Sequence, residues 1–272
     1  MKKTTKFISF ISFVGIFYFI FKQAKFWLKK TGGNEGWITE TKASWFWRYW
    51  TNLFFLTFLT LYNRLEIRNK EVVTKKVRSH CVVVANHESI LDGFILAAVS
   101  LKLIYFMVKK EAFERPIAGY FLRKVACFPV DRSKNDASAI KTAFKLLDEG
   151  ESLGIFAEGT RNKDGFVSEF KHGAIKIAIK KKVPIVPIYI GNSHNITPKD
   201  SIIPRPAKLI VCCMEPIDTA AELKAGKTEK DIIDMLYKRI TDTGTEVMGY
   251  DVRDPKYVAS LETANKEKQV LI

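Results

Sequence analysis

Residues 81–92 read CVVVANHESILD. The first five are small or β-branched apolar side chains, the composition of a strand buried on both faces. Asn86, His87, Glu88 and Ser89 then break the run with polar side chains, and residues 90–100 return to an apolar helical pattern. Strand, loop and helix in that order open a crossover unit, so His87 falls at a strand's carboxyl end, where α/β sheets keep their sites. His87 and Asp92 are five residues apart. On a regular helix that separation is about 500°, some 140° off a common face. The two side chains therefore meet only if His87 stays in the loop and Asp92 lies in the first turns of the helix.

Such a pair suits a general base. Neutral imidazole accepts a hydroxyl proton, and a carboxylate on its other nitrogen fixes the tautomer and stabilises the imidazolium that forms. Taken alone, an H-x4-D spacing reads first as a helix-capping Asn beside a satisfied loop histidine.

Outward from this stretch, further β-branched runs occupy 103–108, 128–130, 153–157, 185–190 and 208–214, and helical patterns occupy 90–100, 135–149, 171–181 and 230–241. Their alternation predicts an α/β fold with a mixed, largely parallel sheet flanked by helices. Pro187 inside the run VPIVPI (183–188) demotes that run to an edge or irregular strand. The polar tail after Met248 is expected to be loosely ordered.

Two other strand ends carry chemistry. FAEGTR (156–161) sets Arg161 beside Gly159 and Thr160, a combination that grips phosphate through a guanidinium fork and backbone N–H groups. The bland alternative is a turn with a surface Arg. FPVDR (128–132) ends in Asp131-Arg132, on its own a surface ion pair of little worth. The four histidines (80, 87, 172, 194) form no H-E-x-x-H or other ligand spacing, and P-loop, G-x-G-x-x-G and G-x-S-x-G motifs are absent from the sequence. Cys81, Cys127, Cys212 and Cys213 make no C-x-x-C pair, which speaks against a zinc ribbon or disulfide framework and for a reducing compartment.

The first sixty of the 272 residues differ from the rest. All five tryptophans lie between Trp27 and Trp50, eleven of twenty phenylalanines precede residue 60, and residues 1–30 hold seven lysines and no acid. Two apolar segments, 7–21 and 43–62, flank the polar turn TGGNEGWITETK. The first spans about 22 Å as a helix, short of a hydrocarbon core of roughly 30 Å. Lysines at both its ends and Trp and Tyr at the segment edges predict a two-helix hairpin dipping into one leaflet, residues 1–62, ahead of a soluble body, 63–272. Two full spans and a buried core hairpin are the rival readings. No small-x-small cleavage site follows Phe21. The net charge of +15, with 47% hydrophobic residues, calls for a globular protein with a polyanionic partner: nucleic acid, an anionic bilayer or a phosphorylated substrate.

Taken in order, NHESILD, FPVDR, FAEGTR with FKHGA behind it, and VPIVPI resemble the glycerolipid acyltransferase family, most nearly its 1-acylglycerol-3-phosphate (lysophosphatidic acid) acyltransferases of the PlsC type. The resemblance covers roughly residues 65–215. Two positions depart from the family pattern: Ala157 stands for a proline and Ala126 for a glycine. The resemblance implies His87 as base and Asp92 as its orienting partner. It implies Arg132, Glu158, Gly159, Thr160 and Arg161 as binders of the acceptor phosphate. Lys109, in the stretch KKEA (109–112), becomes a candidate for polarising the thioester oxygen, and VPIVPI a support of the acyl pocket. The implied reaction moves a fatty acyl chain from acyl-carrier protein or coenzyme A to the sn-2 hydroxyl of lysophosphatidic acid, giving phosphatidic acid for phospholipid biosynthesis. No cofactor or metal is implied. The implied partner is an anionic membrane, with the active site on its cytoplasmic face. Glycerol 3-phosphate or another lysophospholipid is the alternative acceptor. A nucleic-acid-binding protein fits the charge but not the placement of aromatics in apolar segments, and a non-catalytic scaffold has no need of the His87–Asp92 pair.

Overall fold

The computed structural model describes residues 45–72, 80–100, 104–115, 119, 122, 126–131, 136–162, 164–198 and 203–270. The first apolar segment, the polar turn after it and Arg132 lie outside these residues, so the expected hairpin is not described as a unit.

Among the described residues the strands are β1 (Glu66–Arg68), β2 (Val82–Ala85), β3 (Ile104–Lys109), β4 (Cys127–Val130), β5 (Ser152–Phe156), β6 (Ile185–Gly191) and β7 (Ile210–Cys213). They form one sheet in the order β1-β7-β6-β2-β5-β3-β4. Every neighbouring pair is parallel except β6–β7. The α/β architecture with a mixed, largely parallel sheet is thus the one the alternation of patterns predicts. The chain leaves β2 toward β3 on one side and β5 toward β6 on the other. These adjacent strands are the sheet's switch point, with a crevice beyond their carboxyl ends.

Period-two alternation in β2 divides the core. Val82 and Val84 face a layer made by α4 (Ala137–Asp148), α5 (Gly173–Lys181) and α8 (Glu229–Met248). Val83 and Ala85 face the opposite layer, made by α1 (Trp45–Tyr62) and α2 (Asp92–Ser100). The remaining helices are α3 (Lys110–Glu114), α6 (Ser193–Ile196), α7 (Thr219–Lys224) and α9 (Pro255–Val270). Gly154 of β5 carries no side chain because the Phe106 ring occupies the space: a Cβ there would stand 2.2 Å from a ring carbon.

Four features depart from the sequence reading. β6 is an interior strand, not an edge, although it contains Pro187. The Pro187 carbonyl accepts from Met214 N at 3.0 Å, so its missing N–H also faces the β7 side, and it does so one residue past the end of β7. The proline sits where the ladder stops. β1 was not anticipated, because three residues are too short to show a period. The polar tail contains α9, which starts with Asp254 accepting from Lys256 N at 2.9 Å and Pro255 in the first helical position. Finally, α1 is built into the body. Thr51, Phe58 and Leu59 are buried, Phe55 stacks on Phe94 of α2 at 4.5 Å, and Asn63 just beyond it donates to the carbonyls of Arg205 and Ala207. Tyr49, Leu53 and Leu61 remain exposed on its other side. No helix among the described residues is long and apolar enough to cross a membrane.

Ala126, where the family pattern carries glycine, has φ +59°. That is the left-handed region, costing an L-residue roughly 1–2 kcal/mol.

Candidate active site

β2 ends at Ala85, and Asn86 extends its pairing with a side chain in place of a backbone unit. Asn86 Nδ2 donates to the Ile190 carbonyl and Ile190 N donates to Asn86 Oδ1, each at 2.8 Å. This fixes where the chain leaves the sheet. His87 follows in the loop and Asp92 is the first residue of α2, the arrangement their spacing required.

Asp92 is fully buried. Its Oδ2 accepts from His87 Nδ1, Glu88 N and Ser89 N, all at 2.8 Å. An oxygen receiving two amide protons offers Nδ1 only acceptor character, so Nδ1 carries the proton and Nε2 of the neutral ring holds the free lone pair. The His87 ring stacks on Phe156 at 4.0 Å and 11°, and its side chain is 17% exposed. Two orthogonal restraints therefore hold the imidazole: a hydrogen bond in its plane and an aromatic face against it.

Below the loop lie two more buried acids. Glu88 Oε2 accepts from His194 Nδ1 at 2.9 Å, and Oε1 accepts from Asn86 Nδ2 at 3.2 Å. Burial pushes the Glu88 carboxyl up, His194 opposes the shift, and the nearby Asp92 charge adds to it. Glu158 Oε1 accepts from His87 N at 2.7 Å and Oε2 from Ser168 N at 2.9 Å. Burial raises Glu158 to about 8 against the pull of those two amides.

The loop after β5 thus has two sides. Glu158 turns inward to the His87 backbone, and Thr160 and Arg161 are exposed. Gly159 adopts φ +72°, and a Cβ there would lie 3.0–3.1 Å from Cδ, Cε and Nζ of Lys171. The Lys171 side chain therefore crosses directly over Gly159, which brings a second cation to the Arg161 loop. Its backbone holds it there, with Lys171 N donating to Ala157 O at 2.8 Å. Lys109 ends β3, exposed. Because β2, β5 and β3 are parallel neighbours, His87, residues 157–161 and Lys109 share one end of the sheet.

Of the residues expected from sequence, His87 and Asp92 are in contact, Glu158 contacts the His87 main chain, and Gly159, Thr160, Arg161 and Lys109 lie at the same end of the sheet. VPIVPI (183–188) leads into and forms the first four residues of β6, whose seven residues are all buried, and Ile190 near the end of that strand holds Asn86. Residues not singled out beforehand are Phe156, Asn162, Ser168, Lys171 and His194. Lys171 had a signal, since it stands in the FKHGA stretch. His194 had none, because its carboxylate partner lies 106 residues away.

Residues 64–191 match the acyltransferase family model. A 1-acyl-sn-glycerol-3-phosphate acyltransferase of Bacillus subtilis (strain 168) is 39% identical over 130 residues, 47% of this chain and 63% of that protein. A chloroplast 1-acyl-sn-glycerol-3-phosphate acyltransferase of Brassica napus is 37% identical over 124 residues, 44% of this chain and 36% of that protein. The matches span less than two thirds of either relative. The crystal structure of the 1-acyl-sn-glycerophosphate acyltransferase PlsC from Thermotoga maritima superposes with a TM-score of 0.68 at 22% identity, covering 91% of this chain and 98% of that one. At that identity the likeness shows a shared fold.

Proposed function

We propose that this chain, whose residues 64–191 match the acyltransferase family model, transfers a fatty acyl group from a thioester to the sn-2 hydroxyl of lysophosphatidic acid. The observation that carries the reading is the His87 Nδ1–Asp92 contact at 2.8 Å, one strand away from a loop bearing Arg161 and Lys171. A base with its proton-accepting nitrogen free stands beside cations suited to a phosphate.

The acceptor phosphate binds Arg161 and Lys171, with Arg132, which lies outside the described residues, as a further candidate cation. Nε2 of His87 takes the hydroxyl proton as the acceptor oxygen attacks the thioester carbonyl. The new C–O bond gives a tetrahedral oxyanion, for which Lys109 is the candidate partner. The C–S bond then breaks, and the imidazolium returns its proton to the departing sulfur. Asp92 stabilises the imidazolium while it lasts. Glu158 acts through the His87 backbone, not on the phosphate: its carboxylate is buried and faces two amides. The donor is a long-chain thioester of acyl-carrier protein or coenzyme A, and the excess of positive charge favours either anionic carrier. Residues 1–62 keep the domain at an anionic bilayer on the cytoplasmic face, where acceptor and product reside; the seven lysines of residues 1–30 support this.

The test is acyl transfer to lysophosphatidic acid in detergent or vesicles with a labelled thioester. Phosphatidic acid formed by the parent and lost in His87→Ala is the expected result. Product with glycerol 3-phosphate or another lysolipid alone would move the acceptor. Transfer by His87→Ala at the parental rate would remove the base.

A further inference from the structure

The main chain of His87 is held at both ends by residues beyond β5. Its N–H donates to Glu158 Oε1 at 2.7 Å, and its carbonyl accepts from Asn162 N at 2.8 Å. Both of these partners converge on Ser168. Glu158 Oε2 accepts the Ser168 N–H at 2.9 Å, and Asn162 Nδ2 donates to Ser168 Oγ at 3.1 Å. Ser168 Oγ in turn donates to Asp254 Oδ2 at 3.3 Å. The same segment is sewn to the C-terminal region next door. Val167 N donates to Val252 O at 2.7 Å, Asp254 N to Val167 O at 3.1 Å, and the Tyr237 hydroxyl to Val167 O at 3.2 Å. Val167 and Val252 are fully buried, so these bonds are shielded from water.

We propose that residues 252–254 form a strap that positions the base, with Ser168 and Asp254 as positioning residues for His87. Asp254 lies well past the matched region, which ends at 191, and past all four motifs. Asp92 holds the imidazole to its own loop and Phe156 of β5 packs on its face; Glu158 and Asn162 tie that loop to the one carrying Arg161, and the strap holds both through Ser168. Base and acceptor are thereby held in one frame. Loosening the strap lets Nε2 drift from the bound hydroxyl without touching either substrate, and misplacement of about 1 Å costs on the order of 10²-fold in rate. The proposal rests on the general-base reading above.

Ser168→Ala tests it in the full chain, because it keeps the Ser168 N–H on Glu158 and removes only the hydroxyl, which lies between Asn162 and Asp254 and also acts on Glu158. The expected result is a kcat about tenfold lower, acceptor KM within about twofold of the parent, and an unchanged unfolding temperature. Backbone hydrogen exchange over residues 84–92 becomes faster. Ser168→Thr, which restores a hydroxyl, recovers most of the kcat. Asp254→Ala reproduces the lower kcat and the faster exchange, with a lower unfolding temperature because it also removes the α9 cap, and the double variant is no slower than either single one, since the two belong to one connection. Parental kcat and parental exchange in Ser168→Ala would overturn the proposal, as would a kcat loss matched by a raised KM and a lowered unfolding temperature. If the parent transfers no acyl group to any lysophospholipid, the catalytic reading fails separately. Exchange then decides the strap alone: faster exchange over 84–92 keeps it, and parental exchange removes it.

Discussion

The loops that follow β2 and β5 stand side by side but are built oppositely. In the β2 loop, Asn86, Glu88, Ser89 and Asp92 are buried and hydrogen-bonded, and of its polar side chains only the His87 ring reaches the surface, beside the exposed Ile90. In the β5 loop, Glu158 is turned in, whereas Thr160, Arg161 and the overlying Lys171 are exposed. The first loop is complete before any substrate arrives, and the second presents charges that an anion would complete. Preorganisation of this kind acts on the chemical step, while exposed cations act on binding. The two loops should therefore separate in kinetics, kcat on one side and acceptor KM on the other.

The largest expected effect breaks the first loop. Asp92→Asn sets an amide against the Glu88 and Ser89 N–H groups or against His87 Nδ1–H, so the imidazole loses its tautomer and its anchor. Steady-state rates should show kcat lower by about 10²–10⁴-fold with little change in acceptor KM. Next, Arg161→Ala and Lys171→Ala should each raise acceptor KM by about tenfold and leave kcat near the parental value, as removal of a charge-assisted phosphate contact requires. A kcat loss in either variant would blur the distinction between the loops.

A smaller effect reaches the first loop from beneath. Gly154→Ala drives a methyl group into the Phe106 ring, which stacks on Phe156 at 6.1 Å, which in turn supports His87. Overpacking of this kind costs roughly 1–3 kcal/mol, readable as a lower unfolding temperature. A further effect concerns pH. Burial lifts Glu158 from its ordinary 4.5 to about 8, so the folded chain holds this proton more tightly than the unfolded one. Its contribution to stability is complete below about pH 4.5 and declines as pH rises toward 8. Denaturant titrations of the parent and Glu158→Gln should differ in slope across that window, with the variant flatter.

How legible the molecule was follows the same division. The run CVVVA and the H-x4-D spacing announced a strand, a loop base and a helix start, because each depends on local pattern. The interior place of β6 was hidden by Pro187, whose harmlessness depends on where β7 ends. The direction of Glu158 was hidden because an inward and an outward glutamate are the same letter. The partners Asn162, Ser168 and Asp254 left no trace, since much of their work is done by backbone groups that every residue carries. Of the apolar segment 43–62, read as half of a membrane hairpin, residues 45–62 form α1, which packs one face on the core beside α2, and sequence alone does not say what an apolar face packs against.

The most direct measurement compares two acceptors, lysophosphatidic acid and a monoacylglycerol lacking phosphate, in the parent, His87→Ala and Arg161→Ala. His87→Ala should lose kcat/KM for both alike, whereas Arg161→Ala should lose it for lysophosphatidic acid and stay near parental with the phosphate-free acceptor. Equal losses with both acceptors in Arg161→Ala, or retained turnover in His87→Ala, would contradict the division of the site into a base and a phosphate grip.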